Sequence, residues 1–157
     1  MSSLTRTGPA RLDQPLYDAS PRQAFVRFWK KYATFSGRAS RSEFWWWYLI
    51  SVVVSIILGV ISVAVVGVDT TVPAPGADAQ QYAVDSMLRS LKTSAASSVW
   101  SLLTFVGLLA LSARRLHDTG RSGWWYLIIL VPVVGIVVLI VFWASAPRPE
   151  GQRYDRA

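Results

Sequence analysis

Residues Phe44–Val68 read FWWWYLISVVVSIILGVISVAVVGV, 25 positions without one Asp, Glu, Lys, Arg or His. A helix rises about 1.5 Å per residue, so about 20 residues cross a hydrocarbon core of about 30 Å. The run meets that length and leaves Trp45, Trp46, Trp47 and Tyr48 for headgroup depth, where rings with one polar edge are favoured. A buried strand would also accept the β-branched residues, but strands usually stop after about five or six. The stretch predicts a membrane-spanning helix over 44–68.

Two more uncharged runs follow: Ser94–Ala113, SAASSVWSLLTFVGLLALSA, and Trp124–Trp143, WWYLIILVPVVGIVVLIVFW. Serine hydroxyls in the former can bond back to the preceding turn, so both runs predict spans. Pro132 removes a backbone donor and crowds the turn before it, so a kink near Leu130–Pro132 is expected, eased by Gly135. Gly59, Gly67 and Gly107 are candidate points of close helix packing. The expected fold class is an all-α membrane protein with three transmembrane helices preceded by an N-terminal amphipathic interfacial helix.

Composition agrees. Of 157 residues, 52% are hydrophobic and 16% charged, against about 25% charged in soluble domains. With no Cys, disulfides, thiolate chemistry and cysteine-ligated metals are excluded. One histidine, His117, gives little material for a metal site, and no cofactor is expected. Residues 1–20 are polar, carry Pro9 and Pro15, and lack the apolar core of a signal peptide. They are expected as a disordered extension, followed by a membrane domain over 21–146 and a flexible tail over 147–157.

Residues Pro21–Phe35, PRQAFVRFWKKYATF, place Phe25, Phe28, Trp29, Tyr32 and Phe35 at three- and four-residue spacing, with Arg22, Lys30 and Lys31 elsewhere around the helix. Ser20, Pro21 and Gln23 form a capping signature for its start. Such a helix either lies in the membrane interface or packs on the ends of the bundle. Lys and Arg concentrate before the first span and in the second loop, 114–123, whereas the first loop, 69–93, holds Asp69, Asp78 and Asp85 against Arg89 and Lys92. The positive-inside rule then puts the N-terminus in the cytoplasm, the first loop outside and, after three spans, the C-terminus outside. Arg148, Arg153 and Arg156 in the tail pull against that last placement. Within the first loop, Ala77–Leu91 has helical spacing beyond a flexible part around Val72–Gly76.

Two polar segments join these elements on the inner side. Phe35–Trp45, FSGRASRSEFW, contains Gly37, Arg38, Ser40, Arg41 and Glu43, and Ser40-x-x-Glu43 is a capping box. Arg114–Trp125, RRLHDTGRSGWW, contains Arg114, Arg115, His117, Asp118, Gly120, Arg121 and Ser122. At these two segments, and at Ile129–Gly135 in the Pro-containing last span, the chain resembles the domain-of-unknown-function 805 (DUF805) family of small bacterial inner-membrane proteins. The N-terminal extension to Ser20 and the Gln152-Arg153-Tyr154-Asp155 ending depart from the family pattern. The resemblance implies the membrane architecture and a multi-pass location in the bacterial inner membrane, and implies no activity.

The twelve polar-motif residues are the candidate site, with Glu43 expected to face Arg114, Arg115 or Arg121. Guanidinium groups suit carboxylate or phosphate at two points, so a basic cytoplasmic platform for anionic lipid headgroups or a protein partner is the first functional reading. Flanking arginines that only set orientation are its bland counterpart. An oligomeric solute channel is the alternative, although the three apolar runs hold no ionisable group of the kind transport pathways use. His117 beside Asp118 raises a general-base enzyme, but no nucleophile accompanies the pair. Expected partners are membrane lipids, a second copy of the chain or another membrane protein. Nucleic acid is not expected, because no reader motif is present.

Overall fold

A computed structural model describes residues 12, 14–67 and 78–155, and every regular element among them is helical. The expected disorder over residues 1–11 and at 13, and the Val72–Gly76 part of the first loop, lie outside the described residues. The chain divides into two compact units: residues 1–49 with 106–157, and residues 50–105.

The first helix, α1, runs Pro21–Lys30. Ser20 Oγ accepts from the Gln23 amide at 3.3 Å and Gln23 Oε1 accepts from the Ser20 amide at 2.9 Å, so the cap is reciprocal. The helix ends five residues before Phe35, and its buried face is Ala24, Arg27 and Phe28 rather than the full aromatic stripe. Phe28 stacks on the buried Trp47 with ring centroids 3.3 Å apart, and a side chain at Gly107 would collide with the Phe28 ring. That glycine is therefore a packing point, whereas a side chain at Gly59 would meet open space.

The second helix, α2, runs Arg41–Val66, close to the expected span. It ends at Gly67, whose φ of 81° suits a residue without a Cβ and whose amide donates to Val63 O at 2.8 Å. The third helix, α3, is continuous over Ala79–Asp118, 40 residues or about 60 Å. Residues 79–93, expected as loop and separate helix, and Arg114–Asp118, expected as loop, all belong to it. The reason is local: between Ala79 and Val106 there is no Gly or Pro to stop propagation. Within the 50–105 unit the helices run antiparallel. Trp100 Nε1 donates to Ser51 Oγ at 3.2 Å, while Val63 and Gly67 lie with Tyr82–Ser94 around one shallow cavity. Val65 is 80% exposed and Leu102 77%, surfaces suited to lipid rather than water.

The third apolar run differs most from expectation. It does not form one spanning helix. Gly123–Leu130 is a 3-10 helix, Val131–Val133 reverses direction, and α4 runs Val134–Ala144. Trp125 and Phe142 are 17 residues apart, about 26 Å along a continuous helix, yet their ring centroids are 5.7 Å apart. The run is a hairpin whose two arms, of 8 and 11 residues, each extend about 16 Å, half of a bilayer core.

Pro132 supplies more than a kink. Val133 has φ 64° and ψ −61°, and the Val134 amide donates to Pro132 O at 2.7 Å, closing a γ-turn. Val131 N donates to Ile128 O and Gly135 N to Val131 O, both at 2.9 Å, so the tip satisfies much of its own backbone. A side chain at Gly135 would collide with the Ile128 carbonyl, so this glycine permits the arms to pack rather than easing a bend.

Folding back also returns the tail to the end of α3. Residues Pro149–Tyr154 form a short 3-10 turn, and Arg148 N donates to Asp118 O at 2.9 Å, at the end of α3. The tail, expected to be flexible, is docked beside the start of α2. Residues 14–20, expected to be disordered, are bonded there too: Ala19 N donates to Ser42 Oγ at 2.9 Å. Reporter domains fused ahead of Leu12 and after Ala157 are expected to read the same side of the membrane, and opposite sides would restore a third span.

Candidate functional site

The polar motifs meet around two buried carboxylates. At the first, α3 stops in a Schellman arrangement: Gly120 (φ 75°) donates to His117 O at 2.9 Å and Arg121 N to Leu116 O at 3.0 Å. This termination leaves Asp118, the last helical residue, completely buried. Its carboxylate accepts from Arg115 Nη1, from Tyr17 Oη at 3.1 Å and from Arg38 Nη1 at 3.5 Å. Burial first, and then the Asp118 charge, push the Tyr17 hydroxyl pKa up, keeping it a donor. Arg38 also grips Asp155 through Nε and Nη2 at 2.7 and 2.6 Å, and this bond raises the guanidinium pKa further.

Arg115, likewise fully buried, reaches beyond Asp118. Its Nε donates to Trp143 O at 2.9 Å, its Nη2 to Ser145 O, and its Nη1 approaches Ala39 O at 3.5 Å. Two of these acceptors are carbonyls at the C-terminal end of α4, which have no partner within their own helix and favour a nearby cation. One side chain thus ties α3, the Gly37–Ser40 turn and the returning arm of the hairpin. Arg114 turns the other way, donating to Ala110 O at 3.2 Å and approaching Lys31 O at 3.5 Å.

The second carboxylate is Glu43. Ser40 Oγ accepts from the Glu43 amide at 3.1 Å, and Glu43 Oε2 accepts from Ser40 N at 2.9 Å and Leu16 N at 3.2 Å. Its ion-pair partner is Arg27 of α1, not Arg114, Arg115 or Arg121 as expected. Arg27 Nη2 also donates to Gln14 O, and Ser40 Oγ to Leu16 O, fastening the N-terminal strap over the start of α2.

His117 does not pair with Asp118. Its Nδ1 faces Gly37 O at 3.2 Å, and a carbonyl only accepts, so Nδ1 carries the proton. The ring stacks on Tyr154 with centroids 3.9 Å apart, and Gly151 packs so tightly that an added Cβ would sit 2.6 Å from His117 O. The general-base arrangement weighed above is therefore not formed. Among the described residues, no three His, Asp or Glu side chains converge as metal ligands would.

All twelve motif residues come to this junction in two layers. Arg38, Ser40, Glu43, Arg114, Arg115 and Asp118 are interior or nearly so, with Gly37, Gly120 and Ser122 shaping the turns between them. Arg41 and Arg121 lie further out, Arg41 near Ala144 O at 3.4 Å and Arg121 over the Phe142 ring at 3.9 Å. Sequence reasoning missed Tyr17, Arg27, Tyr154 and Asp155. Arg27 had a signal, since it lies one residue before Phe28 and three after Ala24 on the face that α1 buries.

Residues 32–156 match the family model described as "Protein of unknown function (DUF805)". The chain is 34% identical over 132 residues to Inner membrane protein YhaI of Escherichia coli K12, covering 84% of this chain and 92% of that one. It is 29% identical over 133 residues to Inner membrane protein YhaH of the same strain, covering 83% and 91%. No solved structure matches it.

Removing one partner of a buried ion pair leaves an uncompensated charge and costs about 3–5 kcal/mol. Arg115→Met and Asp118→Asn are each expected to lower thermal stability in detergent by that order, with Arg41→Gln nearly neutral. Equal melting temperatures for all three variants would remove the junction from the account.

Proposed function

The chain belongs to the DUF805 family and is a multi-pass bacterial inner-membrane protein, and from that premise we propose that it is a membrane scaffold whose basic cytoplasmic face holds anionic lipid headgroups. The observation that carries this reading is a division of labour among the arginines. The acids of the junction are occupied: Glu43 by Arg27, Asp118 by Arg38 and Arg115, and Asp155 by Arg38. Arg41, Arg121 and Arg148 have no acidic partner among the described residues, and Arg121 and Arg148 lie close enough for each charge to feel the other. Held near the bases of α2 and of the hairpin, these cations suit phosphate oxygens.

Charge placement supports the cytoplasmic assignment. Fourteen of the sixteen Lys and Arg belong to segments at or before the start of α2, or at or after the end of α3. Only Arg89 and Lys92 lie toward the other ends of the helices, with Asp78 and Asp85. With the hairpin returning the tail, Arg148 and Arg153 join the basic side and no longer oppose the positive-inside rule. Both termini are then cytoplasmic.

A cation close to an anionic membrane surface contributes about 1 kcal/mol. Native mass spectrometry of the protein released from mixed phosphatidylglycerol–phosphatidylethanolamine nanodiscs is expected to show phosphatidylglycerol enriched. Each of Arg41→Gln, Arg121→Gln and Arg148→Gln is expected to weaken that retention about fivefold. Unchanged enrichment in the triple variant, or selective solute flux through reconstituted vesicles, would overturn the reading.

A further inference from the structure

A second site lies beside the first arm of the hairpin. It is a cavity of about 460 Å³ lined by Phe35, Leu109, Ala113, Trp124, Tyr126 and Leu127. The volume falls within the range of small-molecule sites. No Lys, Arg, Asp or Glu lines it. An anionic headgroup would find no counter-charge there, so the outward arginines and this cavity address different chemistry.

Its polar end is small and defined. His117 is fixed by its Nδ1–H bond to Gly37 O and by the Tyr154 stack, which leaves Nε2 as a lone-pair acceptor. Among the described residues no protein group bonds that nitrogen. The absence of a side chain at Gly123 keeps it open, since an added Cβ there would sit 3.4 Å from Nε2. Ser122, also in the lining, uses its oxygen to accept from Trp124 N at 3.4 Å and retains its own O–H as a donor. One acceptor and one donor at the end of an apolar cavity match a neutral hydroxyl, which offers one of each.

We propose that this cavity binds the hydroxyl end of a membrane-dissolved lipid alcohol, the hydroxyl donating to His117 Nε2 and accepting from Ser122 Oγ. The apolar body lies along Leu109, Ala113 and Leu127, and Trp124 and Tyr126 set the polar end at headgroup depth. The site is independent of the arginine platform, because it contains none of those residues.

Because His117 is the one histidine in the chain, imidazole ¹⁵N resonances of ¹⁵N-histidine protein in nanodiscs report this site alone. Titration with n-dodecanol is expected to give a saturable upfield shift of Nε2, as a nitrogen lone pair that gains a hydrogen bond should show. Dodecane, which lacks the hydroxyl, and dodecanoate, which carries a charge, are expected to give none. Gly123→Val, which covers Nε2, and Leu127→Trp, which narrows the cavity, are each expected to abolish the shift while the Nδ1 proton bonded to Gly37 persists. That proton signal also identifies a variant that has lost the fold, in which case the other variant decides. No shift with dodecanol, the same shift with dodecane, or a shift surviving in a folded cavity variant would overturn the proposal.

Discussion

The Arg115–Asp118 pair is the constraint on which the rest of this architecture depends. Both side chains are completely buried, and neither is tolerable there alone, since an isolated charge inside a protein costs far more than a lost hydrogen bond. Their remaining hydrogen-bonding capacity determines what surrounds them. Asp118 takes Tyr17 from the N-terminal strap and Arg38 from the turn before α2, while Arg115 takes two carbonyls from the end of α4. Arg38 adds Asp155 from the tail. A pair of this kind contributes little net stability over well-packed apolar residues; its effect here is to allow one arrangement of five chain segments.

The hairpin follows from the same constraint. As a straight helix, residues 124–143 would carry Trp143 and Ser145 away from the buried guanidinium and leave it without those acceptors. The turn that prevents this is costly, because Val133 is a β-branched residue at positive φ, a conformation worth about 1–3 kcal/mol of strain. Two charge-assisted bonds from Arg115, the close fit of Gly135 against Ile128 and the contact of Trp125 with Phe142 offset it. The end of α4 consequently returns to the end of α3, where Arg115 holds it.

What could be read from the sequence was whatever is encoded within a few residues. The caps at Ser20–Gln23 and Ser40–Glu43 are four-residue signals, and α2 is an unbroken apolar run. The limits of α3 are hidden from the sequence because charge ordinarily marks a loop, whereas Arg114–Asp118 are helical and largely buried and Gly120 is the true stop. Pairings such as Tyr17 with Asp118 and Arg38 with Asp155 join residues 101 and 117 positions apart, and no local pattern encodes them. The third apolar run shows the limit most clearly. A straight span and a folded hairpin bury the same composition in the same lipid, and Pro132 is compatible with both. The decision is made by Arg115, outside the run, so the run alone does not contain it.

The central claim is that this run doubles back, and the absence of cysteine from the chain makes it directly measurable. Trp125→Cys and Phe142→Cys, introduced together and labelled with nitroxides in nanodiscs, replace two rings whose centroids are 5.7 Å apart. The account predicts strong dipolar broadening of the continuous-wave spectrum, as for labels less than about 20 Å apart, and loss of that broadening when Arg115→Met is added. Labels about 26 Å or more apart, the separation along a continuous helix, would contradict it.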